Sequence, residues 1–394
     1  MGQRVPRTAH YLKSSLFILV LLSASLEGHA AEPLVFAGFA FSGNYENRES
    51  LYPHSAAIAE ENINGLSVLD TAFRDKITQR PTELKRISLG LGTLGVGSQL
   101  SVAFSLVREN IEFQKIEGKV WVIVVLHASV LAFDQGSQTV VASYPVRLRY
   151  THVLDAVPTQ QQIRALVRQL YLSDDLGANI FTIWLDRFAK TEIRQKYAKY
   201  LKVTEIVVEP NAAAQIIAAG EQVRAIQNQM AISLESALAS VNDIPLVPNS
   251  VGEAIGSKMA ARFSNGTSFM FNLPEPDFAV IFTLRDFKAK TVDAAASHQD
   301  VYRVLAGIKI VQPDLNKSYL NENIFDTLIV IRPKSANMVL NPWNQYSKTL
   351  NALVDSTSKQ FSVTDENWLT SNASRGLEAK DGFIQSAKLF QSLR

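Results

Sequence analysis

Residues 119–153 constrain this chain more than any other stretch. "KVWVIVVLHASVLAFD" and "TVVASYPVRLRYTHV" are rich in β-branched and aromatic residues and are divided by "QGSQ". Apolar runs bounded by such turn residues read as long strands joined in a hairpin. Pro145 has no N–H to offer a neighbour, so the second strand has an edge or a bulge there. A second strand pair follows at 276–293 and 301–313, around a polar connection, and 324–332 reads as a further strand.

Helical spacing accounts for much of the rest. Leu66, Leu69, Phe73 and Ile77 precede Pro81, which stops that helix. Pro158 and Thr159 open another, in which Ile163, Leu166, Val167, Leu170 and Tyr171 form an i, i+3, i+4, i+7, i+8 stripe. The next is expected from Ile180 to about Leu201, and a long one carries Val223, Ile226, Met230, Leu234, Leu238 and Val241. "DIPLVPNS" (243–250) reads as a short extended piece. After Pro342, Leu350, Leu353, Val354 and Phe361 share one helical face.

The resulting class is α/β (α+β): two similar modules, each a mixed, largely antiparallel sheet of long strand pairs packed by amphipathic helices. We place the first at 31–205, with the glycine-rich segment 88–98, and the second at 206–370. Residues 371–394 read as a polar tail with at most one short helix. Residues 119–153 and 277–313 share a layout of strand, polar turn and strand, which reads as a diverged internal repeat.

Residues 1–30 have the parts of a secretory signal: Arg4, Arg7 and Lys13, then "LFILVLL", then Gly28-His29-Ala30 as a cleavage site. The apolar run is short of the roughly 20 residues that span a bilayer, and no later segment has 18 continuous apolar residues. An exported chain without cysteine relies on its core for stability and fits a bacterial periplasm, with outer-membrane association left open. The chain has 39 basic and 37 acidic side chains. Residues 1–30 hold three of the former (Arg4, Arg7, Lys13) and one of the latter (Glu27), so the remainder is neutral. Nothing in that balance asks for nucleic acid, which needs a basic surface to displace counterions.

"SLGLGTLGVGS" (88–98) contains Gly90, Gly92, Gly95 and Gly97, a literal dinucleotide fingerprint. The fingerprint works only where a helix follows, its N-terminus at the pyrophosphate. Here Leu100, Val102, Phe104 and Leu106 alternate with small or polar residues, the period of a strand. No cofactor is expected. The four glycines are left as a candidate interaction segment: a loop between strands, or the turn of a hairpin over 86–107 like those of membrane barrels.

A helix, the short extended "DIPLVPNS", then "PDFAVIFTLRDF" and "VYRVLAGIKIVQPDL" resemble in order the small α/β module of bacterial envelope proteins. Examples are the amino-terminal domain of the TolB translocation protein, the curli secretion channel and periplasmic flagellar-ring accessory proteins. The resemblance covers 221–332 and, more loosely, 34–170. It implies envelope assembly or partner binding rather than catalysis. The curli channel is held by a lipidated cysteine, which this chain lacks.

No catalytic motif stands out. G-x-S-x-G is absent, and the histidines beyond residue 30 (His54, His127, His152, His298) are not spaced as metal pairs. His127 is expected to be a satisfied core or edge side chain. Glu60-Glu61, Asp174-Asp175 and Asp365-Glu366 read as caps or solvated charge. The chain is therefore expected to be a non-enzymatic exported envelope protein that binds a protein partner or self-associates. An oligomeric outer-membrane pore and a periplasmic small-molecule binding protein are the alternatives.

Overall fold

The computed structural model describes residues 2, 34–89, 99–116, 118–249, 258–334 and 340–394. Residues 1–30, read above as a secretory signal, lie outside the described residues apart from Gly2, as do Gly90, Gly92, Gly95 and Gly97.

Two units of the same plan make up Leu34–Arg394. The first runs β1 (Leu34–Ser42), α1 (Val68–Thr78), β2 (Ile87–Ser88), β3 (Leu100–Ile116), β4 (Lys119–Asp134), β5 (Thr139–Leu154), α2 (Gln160–Leu172) and α3 (Ile180–Lys190). The second runs β6 (Leu201–Val208), α4 (Pro210–Ala218), α5 (Val223–Asn242), β7 (Lys258–Phe263), β8 (Ser268–Asn272), β9 (Phe278–Asp293), β10 (Ser297–Gln312), β11 (Lys317–Pro333), α6 (Pro342–Gln360), α7 (Glu366–Asn372) and α8 (Lys380–Gln391). In each unit an opening strand lies parallel to the first strand of a three-stranded antiparallel meander: β1 beside β3–β4–β5, and β6 beside β9–β10–β11.

The two meanders match at a constant offset of 178 residues, from Leu100 to Phe278, Lys119 to Ser297 and Thr139 to Lys317. Their irregularities match as well. An extra residue interrupts the first ladder at Val107 and at Arg285, and the second ladder at Val141 and at Tyr319. Gln138 and Asn316, at the same offset, both take a positive φ in the turn. Val102, Phe104 and Leu106 correspond to Val280, Phe282 and Leu284, all six fully buried. The repeat is therefore real in topology but one strand out of the register read from sequence. Residues 119–153 match 297–331, and 277–313 matches the stretch that begins at Leu100. The misreading arises because β3 follows the glycine stretch directly and was grouped with it.

Local chemistry explains the element ends. Ser67 caps α1 by accepting from the Leu69 N–H, and Thr159 with Gln162 forms a capping box on α2. Asn179 caps α3, which stops at Lys190 rather than continuing to Leu201. Its last carbonyls are taken from elsewhere: Arg86 Nη2 donates to Phe188 O at 3.0 Å and Thr191 O at 2.8 Å, over the Phe188 ring. Glu61 pairs with Arg168, Asp174 with Lys76, and Asp365 caps α7, which are the cap and charge roles read from sequence.

The two sheets are finished differently. Hairpin β7–β8, from the second half of the chain, pairs with β1 on one side and, through Asn272 and Thr139, with β5 on the other. The first sheet thereby closes on itself, with the short β2 left outside the ring as an edge strand. Phe133, Phe263 and Phe271 fill the interior of the closed end, with Phe133 and Phe271 ring centroids 4.6 Å apart. Gly38 sits at the bulge of β1 with φ +113°, and a Cβ there would stand 3.0 Å from Asp70 Oδ1. Asp70 uses that approach to accept from the Phe39 N–H and the Ser264 hydroxyl, tying α1 to β1 and to the turn after β7.

Both sheets are layered against helices. The α1, α2 and α3 face of the first sheet holds a core around Phe39, Phe104, Phe181 and Trp184. The α5, α6 and α8 side of the second holds one around Phe282, Val304, Leu353 and Phe383. Residues 371–394 are not a polar tail, since α8 buries Phe383, Leu389 and Phe390 in this second core. β6 spans the 205/206 position at which we divided the sequence, and it belongs wholly to the second sheet. Residues 244–249 of "DIPLVPNS" stitch the sheets together: Leu246 exchanges backbone bonds with Ser143 of β5, and Val247 N–H donates to Leu201 O of β6.

No helix among the described residues is long and apolar enough to cross a membrane. β2 and β3 flank β1 on opposite sides, both parallel to it. Antiparallel neighbours are what a hairpin requires, so 86–107 is not one in its described residues.

Candidate functional site

Helix α5 is buried on two sides, and this creates the most distinctive site. Ile226, Met230, Leu234 and Leu238 pack into the second core. Asn228, Ile232, Glu235 and Ser236, on the other side at i, i+4, i+7 and i+8, meet the face of the first sheet that turns away from α1, α2 and α3. There they meet Arg108 of β3, His127 and Ser129 of β4, and Ser143 and Pro145 of β5 around a cavity of about 90 Å³.

Polar groups in this cavity are deeply buried and incompletely paired. His127 is 3% exposed and Glu235 7%. Among the described residues His127 Nδ1, Asn228 Oδ1 and Glu235 Oε1 have no hydrogen-bond partner. His127 is thus buried as expected but not fully satisfied. Burial, with the Arg147 and Arg108 guanidinium groups nearby, pushes its imidazole down to about 3, so the ring is neutral. Burial likewise raises the Glu235 carboxyl well above the usual range, against the Asn249 backbone bond and the nearby Lys202. Arg108 is engaged, its Nε donating to Asn110 Oδ1 at 2.8 Å.

His127 also lines a second cavity of about 80 Å³ with Arg149, Gln229, Ser233 and Asn351. Arg147 and Asp355 close its wall with a 3.0 Å ion pair that joins β5 to α6. No group of three or more His, Cys, Asp or Glu side chains placed to hold a metal occurs among the described residues.

A different kind of surface lies on the far side of the second sheet. The direct cross-strand partners Val292, Gln299 and Ile331 form one row, and Lys290, Val301 and Ile329 the next. Lys288, Arg303 and Thr327 follow on the same face, opposite to buried Tyr302 and Val304. Ile329 is 56% exposed and Ile331 64%. The matching face of the first sheet lies under α5 and the 258–272 hairpin, whereas this one is bare among the described residues.

Sequence reasoning found the helix that carries the cavity but not the cavity. Its apolar stripe was legible, but Asn228, Glu235 and Ser236 were not singled out. The four glycines chosen as candidates lie outside the described residues, so they are not brought to either surface.

No protein-family model matches this chain. No curated protein matches it. Among solved structures, an NTF2-like protein involved in plasmid conjugation aligns over 61% of this chain and 81% of its own length, at 12% identity. Its TM-score of 0.08 is too low to carry any argument about fold or function.

Proposed function

We propose that this chain is a non-enzymatic, exported protein of the bacterial envelope that acts by binding a protein partner or by assembling with further copies of itself. The observation that carries this reading is the bare outer face of the second sheet. Apolar strand faces left open to water are uncommon unless something covers them. In the first unit the same face is covered by a helix and a hairpin of the following unit. An apolar strip edged by Lys288, Lys290 and Arg303 suits a partner segment that presents apolar and acidic side chains. The leader-like residues 1–30 support export, and the periplasm is the compartment we propose. The envelope-module resemblance agrees with assembly as the role.

Sedimentation velocity on protein released from the periplasm tests this directly. We expect a species heavier than one chain, or a co-purifying protein, and we expect it to be lost when Ile329 and Ile331 are both replaced by Asp. A monomer without a partner, unchanged by the double substitution, would remove the reading.

A further inference from the structure

We propose that the outer edge of β11 pairs with the same strand of a second copy, antiparallel about a two-fold axis at Val330, so that two second sheets become one continuous sheet. The inference rests on the assembly reading above and names its occupant and mode: a second copy of this chain, held through the backbone edge of the sheet.

β11 is the last strand of its sheet, with β10 on one side. Alternate residues of a strand turn their backbone groups to opposite edges. Asn323 O accepts from Ser374 N–H and Phe325 O from Asn372 Nδ2, both on the outer edge. Lys334 N–H instead donates to Ala296 O, toward β10. The odd-numbered residues therefore face outward. Ile329 and Ile331 present N–H and C=O to that edge with no partner among the described residues. Edge strands are ordinarily guarded by charge, proline or a bulge. β5 carries Arg149 and His152 where β11, at the offset of the repeat, has Thr327 and Val330. From Thr327 to Ile331 no such guard stands.

A two-fold axis at Val330 answers every group in this stretch. Ile329 N–H and C=O meet the C=O and N–H of the second copy's Ile331, and the same bonds repeat by symmetry. Thr327, whose N–H already donates to Asp326 Oδ1, falls opposite Pro333, which has no N–H to offer. Asp326 falls opposite Lys334, just past the strand, at both ends of the joint. Neither belongs to an ion pair of its own among the described residues, so the pairing is complementary in charge. On the bare face Ile329 and Ile331 become cross-strand neighbours, which carries the apolar strip from one copy to the next. Helix α7 covers the edge only as far as Phe325, which lies beyond the second copy's strand end at Pro333.

The chain has no cysteine, so single cysteines report the register. Val330 and its symmetry mate form a non-hydrogen-bonded pair, about 4.5 Å apart at Cα and within reach of a disulfide. We expect Val330→Cys in the full chain to give covalent dimers on mild oxidation. Ile329→Cys, offset from its own mate, should give about tenfold fewer. Sedimentation velocity separates this mode from the broader reading. Ile329→Pro removes an outward N–H that the chain's own sheet does not use, and should reduce dimers to single chains. Ile329→Thr keeps that N–H and should weaken the dimer by no more than about thirtyfold. A heavier species that survives Ile329→Pro and does not crosslink through Val330→Cys overturns edge pairing and leaves the assembly reading standing, as does a single chain that co-purifies with another protein. A single chain without a partner removes both. If Ile329→Pro fails to fold, the crosslink decides: no covalent Val330→Cys dimer overturns the proposal.

Discussion

The two units share a plan down to their bulges, yet their outer sheet faces have opposite characters. On the first sheet that face carries Ser101, Ala103, Ser105, Arg108, His127 and Ser129, then Leu131 and Phe133 toward the closed end, and it is covered. On the second it carries Ile281, Lys288, Val301, Arg303, Leu305, Ile329 and Ile331, and it is open among the described residues. Where it meets α5 the covered face is small and polar, and toward the closed end it is aromatic. A helix approaches a sheet closely only where side chains are small, and the polar groups left inside define a cavity. Large apolar and basic residues on the open face make a surface suited to contact from outside. The same backbone has thus been used once as an internal joint and once as an external one.

The largest expected effect separates the units by pH. His127 corresponds in position to Leu305, which cannot titrate. A histidine at about 3 in the fold and 6.5 in the unfolded chain contributes stability that is fully present above 6.5 and is lost as pH falls toward 3. The loss is on the order of 4 kcal/mol. Buried Asp70, Glu109 and Glu235 are raised by desolvation and act in the opposite sense. They favour the fold below the usual carboxylate range, and that contribution is lost as pH rises through their folded values. Urea unfolding of wild type and His127→Leu across pH isolates the histidine. The difference in slope between pH 6.5 and 3 should disappear in the variant, and an unchanged slope would break the comparison at this residue.

Exchanging matched residues across the repeat gives the next largest effect. Ala103→Ile places the bulk of Ile281 on the covered face, where overpacking should cost about 1–3 kcal/mol. Ile281→Ala on the open face should cost less, because the site is only half-buried. Equal penalties in thermal or urea unfolding would mean that the second face is also packed against something. The smallest effect is at the joint itself. Arg147 and Asp355 are both about a third exposed, so Asp355→Asn should cost no more than about 1 kcal/mol, and less at high salt.

Much of this plan was legible in the sequence, for reasons that are local. The ends of β4 and the start of β5 follow from "QGSQ" between β-branched runs, and α2 announces itself through Pro158, Thr159 and Gln162. What was not legible depends on partners distant in the chain. Lys190 ends α3 because Arg86, roughly a hundred residues earlier, takes its carbonyls. The 258–272 hairpin joins a sheet whose other strands come from the first half of the chain, and no pattern within it names that destination. Nothing in the sequence marks Asn228, Glu235 and Ser236 of α5 as buried, because such residues ordinarily face water. The tail was read with at most one short helix, but its burial was within reach, since Phe383, Leu389 and Phe390 are large apolar residues amid polar neighbours.

A helix with two buried stripes has no idle side. Inserting or deleting one residue in α5 would turn everything beyond that point by about 100°. Leu234 or Leu238 would swing toward the serine-rich sheet, and Glu235 would swing into the aliphatic core. Length changes elsewhere can be absorbed by loops, but here they are felt by both units at once. The span Val223–Asn242 therefore sets the pitch of the whole repeat, as the one component that neither half can revise alone.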